Sequence, residues 1–387
     1  MQILQVGKYF YPEKGGIETV TKSIYEELND GQTKVDVLCF SRRRKTTRLK
    51  DGNSFILKCG SFFRIASTSI SFGFLRQFKK LRNNYDIIHL HLPNPLGAIA
   101  LYLYPPKGKV LVYWHSDIVK QKFLYSFFRF FEKKALERAD LILGTSPVYV
   151  QHSAPLQPFL HKAGYLSCCT DDGCFSVHQA EVERIKDFFG NRKIIFSLGR
   201  FIYYKGFEYL IEAARFLPED YVVVIGGGGP LKSKYLKLIN SLNLSNKVFL
   251  ISDIPFSDVG NYYSAAHTFC LPSTEKAEAF GVVIAEAMCF SKPVVATKIH
   301  GSGVAWVNLD GITGFNVSPR NSEQLAAAIL RIDAEGLYES FAKNARHRFI
   351  EKFTISSMGD ELRAYYNSLL HPQTGMVKDI RAKVMSS

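Results

Sequence analysis

The chain has 387 residues, 47% of them hydrophobic and 22% charged, which is too long for one ordinary core and too apolar for a disordered chain, so two globular domains are expected. The formal net charge is +14, and residues 1–150 alone carry 24 Lys and Arg against 12 Asp and Glu. The positive excess therefore sits in the first part of the chain, where it suits anionic lipid headgroups, phosphate-bearing substrates or nucleic acid, with a basic surface kept for solubility as the plain alternative.

The N-terminus runs straight into MQILQVGKYF, which lacks the apolar stretch of a secretory signal. The seven cysteines are then expected as reduced thiols in the cytoplasm. Cys168, Cys169 and Cys174 cluster without the paired spacing or histidines of a zinc site. No apolar run approaches the roughly 20 residues of a membrane span.

Near-continuous apolar runs at residues 3–6, 35–40, 87–90, 110–113 and 141–143 predict strands, and residues 18–28 predict the helix after the first. Residues 123–135, FLYSFFRFFEKKA, are aromatic and basic together. They fit either an interfacial membrane helix or a buried amphipathic helix packed on a sheet. Residues 165–190 lose periodicity and mark a domain boundary. Strands follow at 194–198, 221–225, 248–251, 268–271 and 293–296, with amphipathic stretches at 207–216 and 232–242. Such runs spaced by helices predict an α/β chain of two doubly wound, Rossmann-like parallel-sheet domains. The polar residues after Pro372 read as a loose tail.

Ligands of open parallel sheets bind beyond the carboxyl ends of the strands. Gly15 and Gly16, His89, His91 and His115 follow first-half strands. Arg200 and Lys205, the run Gly226–Gly229, and Glu278 follow second-half strands. Two such edges facing each other would form an interdomain cleft.

A nucleoside diphosphate leaving group needs its negative charge met by a metal or by Arg, Lys and backbone donors. No two Asp residues are two apart, so a metal-independent site using Arg200 and Lys205 is expected. Glu278 and Glu286 are eight residues apart around Gly281, where a helix can begin. Glu278 would stand in the loop before that helix, whose first N–H groups would face phosphates. Glu286, one to two turns in, could accept from ribose hydroxyls. Both carboxylates could equally serve only the helix N-terminus. His89 and His91 share a strand face and read as polar lining of the cleft rather than metal ligands. The Gly226–Gly229 run lacks the spacing of a dinucleotide fingerprint.

The segment PSTEKAEAFGVVIAEAM followed by KPVVAT resembles the paired-glutamate segment of family-4 retaining glycosyltransferases. SLGRFIYYKG resembles their phosphate site, GKYFYPEKGGIE their N-terminal glycine loop, and YWHSD their first-domain histidine segment. GGGPL, DGITGF and FTISSM fit as well, so the resemblance spans roughly residues 1–370. It implies the GT-B architecture: a first, acceptor-side domain over 1–175, a nucleotide-sugar-binding domain over 176–352, a closing helix over 353–372 that returns toward the first domain, and a tail over 373–387.

It also implies roles. Gly15 and Gly16 would offer backbone N–H groups to the donor phosphate, and Arg200 and Lys205 would hold the diphosphate. Glu278, with the Phe280, Gly281 and Val282 backbone, would bind the donor sugar, and Glu286 the ribose. His115 would orient the transferred sugar or the acceptor, and Asp117 would lie on the acceptor side. Transfer would proceed on the front face with retention, with a Glu278 nucleophile as the alternative. No metal or other cofactor is expected.

YWHSDIV and GSGVAWVN look most like bacterial mannosyltransferases of this family, so a hexose from GDP-mannose is the expected donor. UDP-sugars stay open, as do a GT-B epimerase or phosphorylase. The expected acceptor is a lipid-linked glycan of O-antigen, capsule or exopolysaccharide synthesis. The expected place is the cytoplasm, peripheral to the inner face of the cytoplasmic membrane. No nucleic-acid module is present, so nucleic acid is not expected as a partner. One departure stands out. The family's Pro-x-Gly-x-Asp turn corresponds here to Ser167-Cys168-Cys169-Thr170-Asp171. The turn is either rebuilt or the copy impaired, since cysteine does not adopt positive φ as cheaply as glycine.

Overall fold

The computed structural model describes residues 1–372 except 14, 66–67, 118–121 and 253, and of residues 63–65, 68 and 122–127 it describes the backbone alone. The expected tail, 373–387, lies outside the described residues, as do the Ile and Val of the YWHSDIV stretch. The chain forms two compact units. One is Met1–Cys169 together with the chain from Ile355, and the other is Thr170–Thr354.

The first unit is built on β1 (Gln2–Val6), β2 (Lys34–Ser41), β3 (Thr47–Asp51), β4 (Ser54–Gly60), β5 (Phe63–Ile65), β6 (Thr68–Ile70), β7 (Ile87–Leu92), β8 (Lys109–Trp114), β9 (Leu141–Gly144) and β10 (Ala163–Tyr165). Eight of these form one sheet in the order β10-β9-β8-β7-β1-β2-β4-β3. Every pairing in it is parallel except β3 with β4. The central strands β1, β7 and β8 are almost entirely buried, as unbroken apolar runs covered on both faces require. β5 and β6 form a separate antiparallel ribbon.

β3 and β4 were not anticipated. β3 reads TRLKD and is exposed along its whole length, so it carries no apolar pattern. Its charges suit an edge strand, where they oppose further pairing. The signal was the two-residue Gly52-Asn53 turn between the two strands, with Gly52 at φ +54°.

The helix Gly16–Leu28 buries Val20, Ile24 and Leu28. The helix Ile355–Leu370 packs against it within the same unit. There Arg363 donates to the Glu27 carbonyl at 2.8 Å and pairs with Asp30. The described part of the helix Lys122–Arg138 packs on the helix Pro95–Leu103. It buries Glu132, Ala135 and Leu136 while Phe130 stays exposed. Of the 123–135 stretch, the side chains of 123–127 lie outside the described residues. No helix among the described residues is long and apolar enough to cross a membrane.

The second unit holds β11 (Lys193–Leu198), β12 (Tyr221–Gly226), β13 (Val248–Ile251), β14 (Thr268–Leu271), β15 (Val294–Thr297) and β16 (Gly314–Val317). They form an all-parallel sheet in the order β13-β12-β11-β14-β15-β16. Successive strands run outward in one direction from β11 and in the other from β14. The order reverses between those two strands, and the carboxyl ends at such a reversal are where ligands of open parallel sheets bind. The glycine run after β12 has a packing reason. A Cβ on Gly227, at φ +133°, would lie 2.0 Å from the Gly199 carbonyl oxygen.

The turn at 167–171 is rebuilt without left-handed backbone. The positive-φ residues of the chain lie elsewhere. Thr170 N–H donates to the Phe353 carbonyl at 2.9 Å, and the Asp171 carboxylate accepts from Gly173 N–H at 3.0 Å. Ser167 and Cys169, at the positions of the missing proline and glycine, are both buried, as is Cys168 between them.

Candidate functional site

The second unit holds Arg200, Lys205, Glu278 and Glu286 of the residues singled out in sequence, and Lys205 and Glu278 are in contact. Arg200 follows β11 after Gly199 and is exposed, and its carbonyl accepts from Ile202 N–H at 2.9 Å. Lys205 closes the short 3-10 turn Tyr203–Lys205. Its ammonium lies 2.6 Å from Glu278 Oε2, and both side chains are about nine-tenths buried, at 10% and 11% exposure. Ser273, just beyond β14, donates to the same carboxylate oxygen at 3.0 Å. This ion pair joins residues 73 positions apart, and sequence spacing carries no sign of it.

Gly206 makes that pairing geometrically attainable. It sits at φ +64° between the turn and the helix Phe207–Ala213, and an added Cβ would lie 2.2 Å from the Pro272 carbonyl oxygen. Backbone from the β11 side therefore touches backbone from the β14 side. Thr274 N–H donates to the Tyr204 carbonyl at 2.8 Å at the same seam. Gly206→Ala is expected to cost about 1–2 kcal/mol from the left-handed backbone alone, and more from the clash. It should also lower transfer activity by pulling Lys205 from Glu278. Denaturant unfolding with wild-type stability in this variant would refute that placement.

The loop from 273 to 281 is stitched to its neighbour from both sides. Thr297 Oγ1 donates to the Ser273 carbonyl, Ser302 Oγ to the Glu278 carbonyl, and Gly303 N–H to the Ala279 carbonyl. Phe280 is buried against Trp306 and Phe353, so its ring anchors the loop. Gly281 starts the helix Val282–Cys289 as expected. Glu286 stands half-buried just past its first turn and accepts from Tyr263 Oη at 2.7 Å. Burial raises its carboxyl above the usual range, and the Tyr263 hydroxyl and the Lys205 charge oppose that rise.

In the first unit, Gly15 is the residue before the helix Gly16–Leu28 and both glycines are exposed. A Cβ on Gly16 would meet nothing within 4 Å, so the protein's own packing does not require glycine there. Glu18 was not singled out in sequence. Its carboxylate folds back against Gly15, and burial raises it above the usual range.

His115 follows β8 and is nearly buried. Its Nε2 lies 3.0 Å from His91 Nδ1, and the two rings stack. His89 and His91 do not line a cleft as expected. Both are fully buried under Tyr366 and Gln5, with His89 Nδ1 at 2.7 Å from Tyr366 Oη. They form part of the core because the final helix covers that face of β7. Burial pushes all three imidazoles down, His91 to about 3. The Asp117 carboxylate accepts from Trp114 Nε1 at 2.9 Å and Ser153 Oγ at 2.6 Å, which makes it an anchor of the loop after β8. Among the described residues no group of three or more His, Cys, Asp or Glu is placed to hold a metal.

Known proteins agree with this arrangement. Residues 179–348 match the family profile described as "Glycosyl transferases group 1", and residues 14–158 match "Glycosyltransferase Family 4". The chain is 30% identical over 378 residues to the O-antigen chain mannosyltransferase C of Escherichia coli, covering 97% of this chain and 100% of that one. It belongs to the family-4 glycosyltransferases. This glycosyltransferase is also 27% identical to the D-rhamnosyltransferase WbpZ of Pseudomonas aeruginosa, over 92% of each chain. Among solved structures, sucrose-phosphate synthase from Thermosynechococcus elongatus superposes with a TM-score of 0.76 at 21% identity, covering 96% of this glycosyltransferase and 100% of that chain. HepE of Anabaena in complex with UDP superposes with a TM-score of 0.73 at 18% identity, covering 95% and 100%. These two likenesses establish the shared GT-B fold of two Rossmann-like domains.

Proposed function

We propose that this glycosyltransferase moves mannose from GDP-mannose, with retention, onto a lipid-linked glycan in bacterial surface-polysaccharide assembly, without a metal ion. The observation that carries the reading is the Arg200, Lys205, Glu278 and Glu286 constellation at the reversal point of the second sheet. It combines cations for a diphosphate with carboxylates for sugar and ribose hydroxyls. The mannosyl choice and the O-antigen context rest on the full-length likeness to the Escherichia coli enzyme. For the first unit, taken by itself, the family resemblance assigns the Gly15-Gly16 amides to phosphate and His115 to a sugar hydroxyl, with Asp117 holding the loop after β8. In the reaction the bond from the anomeric carbon to the phosphate oxygen breaks. The bond to the acceptor oxygen forms on the same face, and the acceptor's proton passes to the departing phosphate. The net positive first part of the chain, with Phe130 exposed and Lys134 over its ring, supports work against an anionic membrane at the inner face of the cytoplasmic membrane.

Two measurements test this. GDP should raise the melting temperature in the presence of a chelator and UDP should do so less; no shift with any nucleoside diphosphate removes the donor site. Glu286→Ala should weaken GDP binding about 10- to 100-fold, the scale of a lost charged hydrogen bond. Titration calorimetry showing unchanged affinity would dismiss the ribose role.

A further inference from the structure

Thr21, Gln5, His91 and His115 form one hydrogen-bonded line through the first unit. At its inner end the Thr21 carbonyl, which can only accept, faces Gln5 Nε2 at 3.2 Å. The Gln5 amide oxygen is thereby turned toward His91 Nε2, at 2.9 Å. That oxygen also only accepts, so His91 carries its proton on Nε2 and a lone pair on Nδ1. His91 Nδ1 in turn lies 3.0 Å from His115 Nε2. Every member is buried, with Gln5 and His91 at 0% and His115 at 8% exposure. The stacked rings of His89, His91 and His115 make a cation on any of them costly, so each ring is neutral and holds a single proton.

We propose that Gln5 and His91 are positioning residues that lock His115 as its Nε2–H tautomer, leaving the Nδ1 lone pair as the one hydrogen-bonding valence the ring offers a ligand. The assignment runs outward from a main-chain carbonyl whose direction is fixed, and each link leaves one choice for the next. Among the described residues His115 Nδ1 has no hydrogen-bond partner. His115 then accepts a hydrogen bond from a hydroxyl and supplies no proton. This deepens, and rests on, the reading that His115 meets the transferred sugar or its acceptor. It makes the site selective for a hydroxyl at that position, because a deoxy substrate that displaces water from Nδ1 leaves the lone pair unpaired.

The test uses the full chain labelled with 15N-histidine and long-range proton–nitrogen NMR, with His115 assigned by the signals missing from His115→Asn. The expected wild-type spectrum shows His115 protonated on Nε2 and bare on Nδ1; a proton on Nδ1 overturns the proposal without any variant being needed. Gln5→Met, close in volume, should mix the His115 tautomers and lower kcat about tenfold, with the donor KM unchanged. A His115 tautomer unmoved by Gln5→Met removes Gln5 from the device. His115→Asn, which keeps an oxygen near the Nδ1 position, should retain more activity than His115→Gln, and the reverse order contradicts the acceptor role. Full transfer activity in His115→Ala, beside an intact Nε2–H signature in the wild type, would defeat the sugar-contact reading while leaving the lock in place.

Discussion

Glu278→Ala is expected to lower kcat about 10²- to 10³-fold, the scale set by removing one preorganised polar contact to a transition state, while GDP affinity changes little. The reason lies in how the carboxylate is held. Lys205 and Ser273 both reach Glu278 Oε2, so its position is set before any substrate arrives and no reorganisation is left for the chemical step. Lys205 is half neutralised by this pairing, yet an ammonium has three donors and can still meet a phosphate oxygen. Under the proposed reading Arg200, exposed after β11, would supply the charge that the diphosphate calls for. Lys205→Ala should therefore behave differently from Glu278→Ala. It strands a carboxylate that is 11% exposed and should cost about 3 kcal/mol of stability, the low end for breaking a buried pair, besides weakening donor binding. The double variant should regain most of that stability and none of the activity. Glu278→Gln, which keeps the Ser273 contact and loses the charge, separates hydrogen bonding from electrostatics. Wild-type kcat in Glu278→Ala, or wild-type stability in Lys205→Ala, would break the account at a different link in each case.

How much of this was legible in the sequence depends on the range of the interaction. Strands β1, β2, β7, β8, β9, β11, β12, β14 and β15 announce themselves because parallel strands buried on both faces are unbroken apolar runs, and the edge strand β13 is legible from its apolar run VFLI although only Val248 is buried. The strand-end residues Arg200, Lys205, Glu278 and His115 follow from them by the rule that ligands sit beyond the carboxyl ends. The other edge strands do not announce themselves. β3 buries nothing, β10 has three residues, and β16 is entered through Gly314. The pairings are hidden for another reason. Lys205 with Glu278, and Gln5 with His91 and His115, join positions dozens of residues apart, and only the strand order brings them together. The same distance explains His89 and His91. Their strand was recognisable, but the Tyr366 helix that covers them enters from the far end of the chain. Asp117 likewise gains its partners from the strand before it and from Ser153, 36 positions on.

The buried histidines are expected to make the first unit acid-labile. His89, His91 and His115 are held neutral chiefly by burial, His91 down to about 3 and the other two well below the ordinary value. In the unfolded chain each takes up a proton near pH 6.5. Since the folded values are depressed, the unfolded state binds more protons as pH falls. The stability they contribute is complete above about pH 6.5 and is lost on the way down toward the folded values. Each ring removes about 1.4 kcal/mol per pH unit in that window, so three remove about 4, against the roughly 5–15 kcal/mol that holds a domain together. Because the two units need not unfold together, the observable is local: hydrogen exchange, corrected for its intrinsic pH dependence, in β7 and β8 against β11 and β12. Protection in β7 and β8 should fall steeply between pH 6.5 and 4.5. In the second unit the corresponding titrating pair is His267 with Asp333. Burial also lowers the His267 pKa, but the Asp333 charge opposes that shift, so β11 and β12 should lose less. His89→Phe keeps a ring between His91 and Tyr366 and removes one titrating site, so it should flatten the slope by about one third. Protection in β7 that stays level across this range would mean that the rings accept protons in the folded state, and the neutral line from Gln5 to His115 would fall with it.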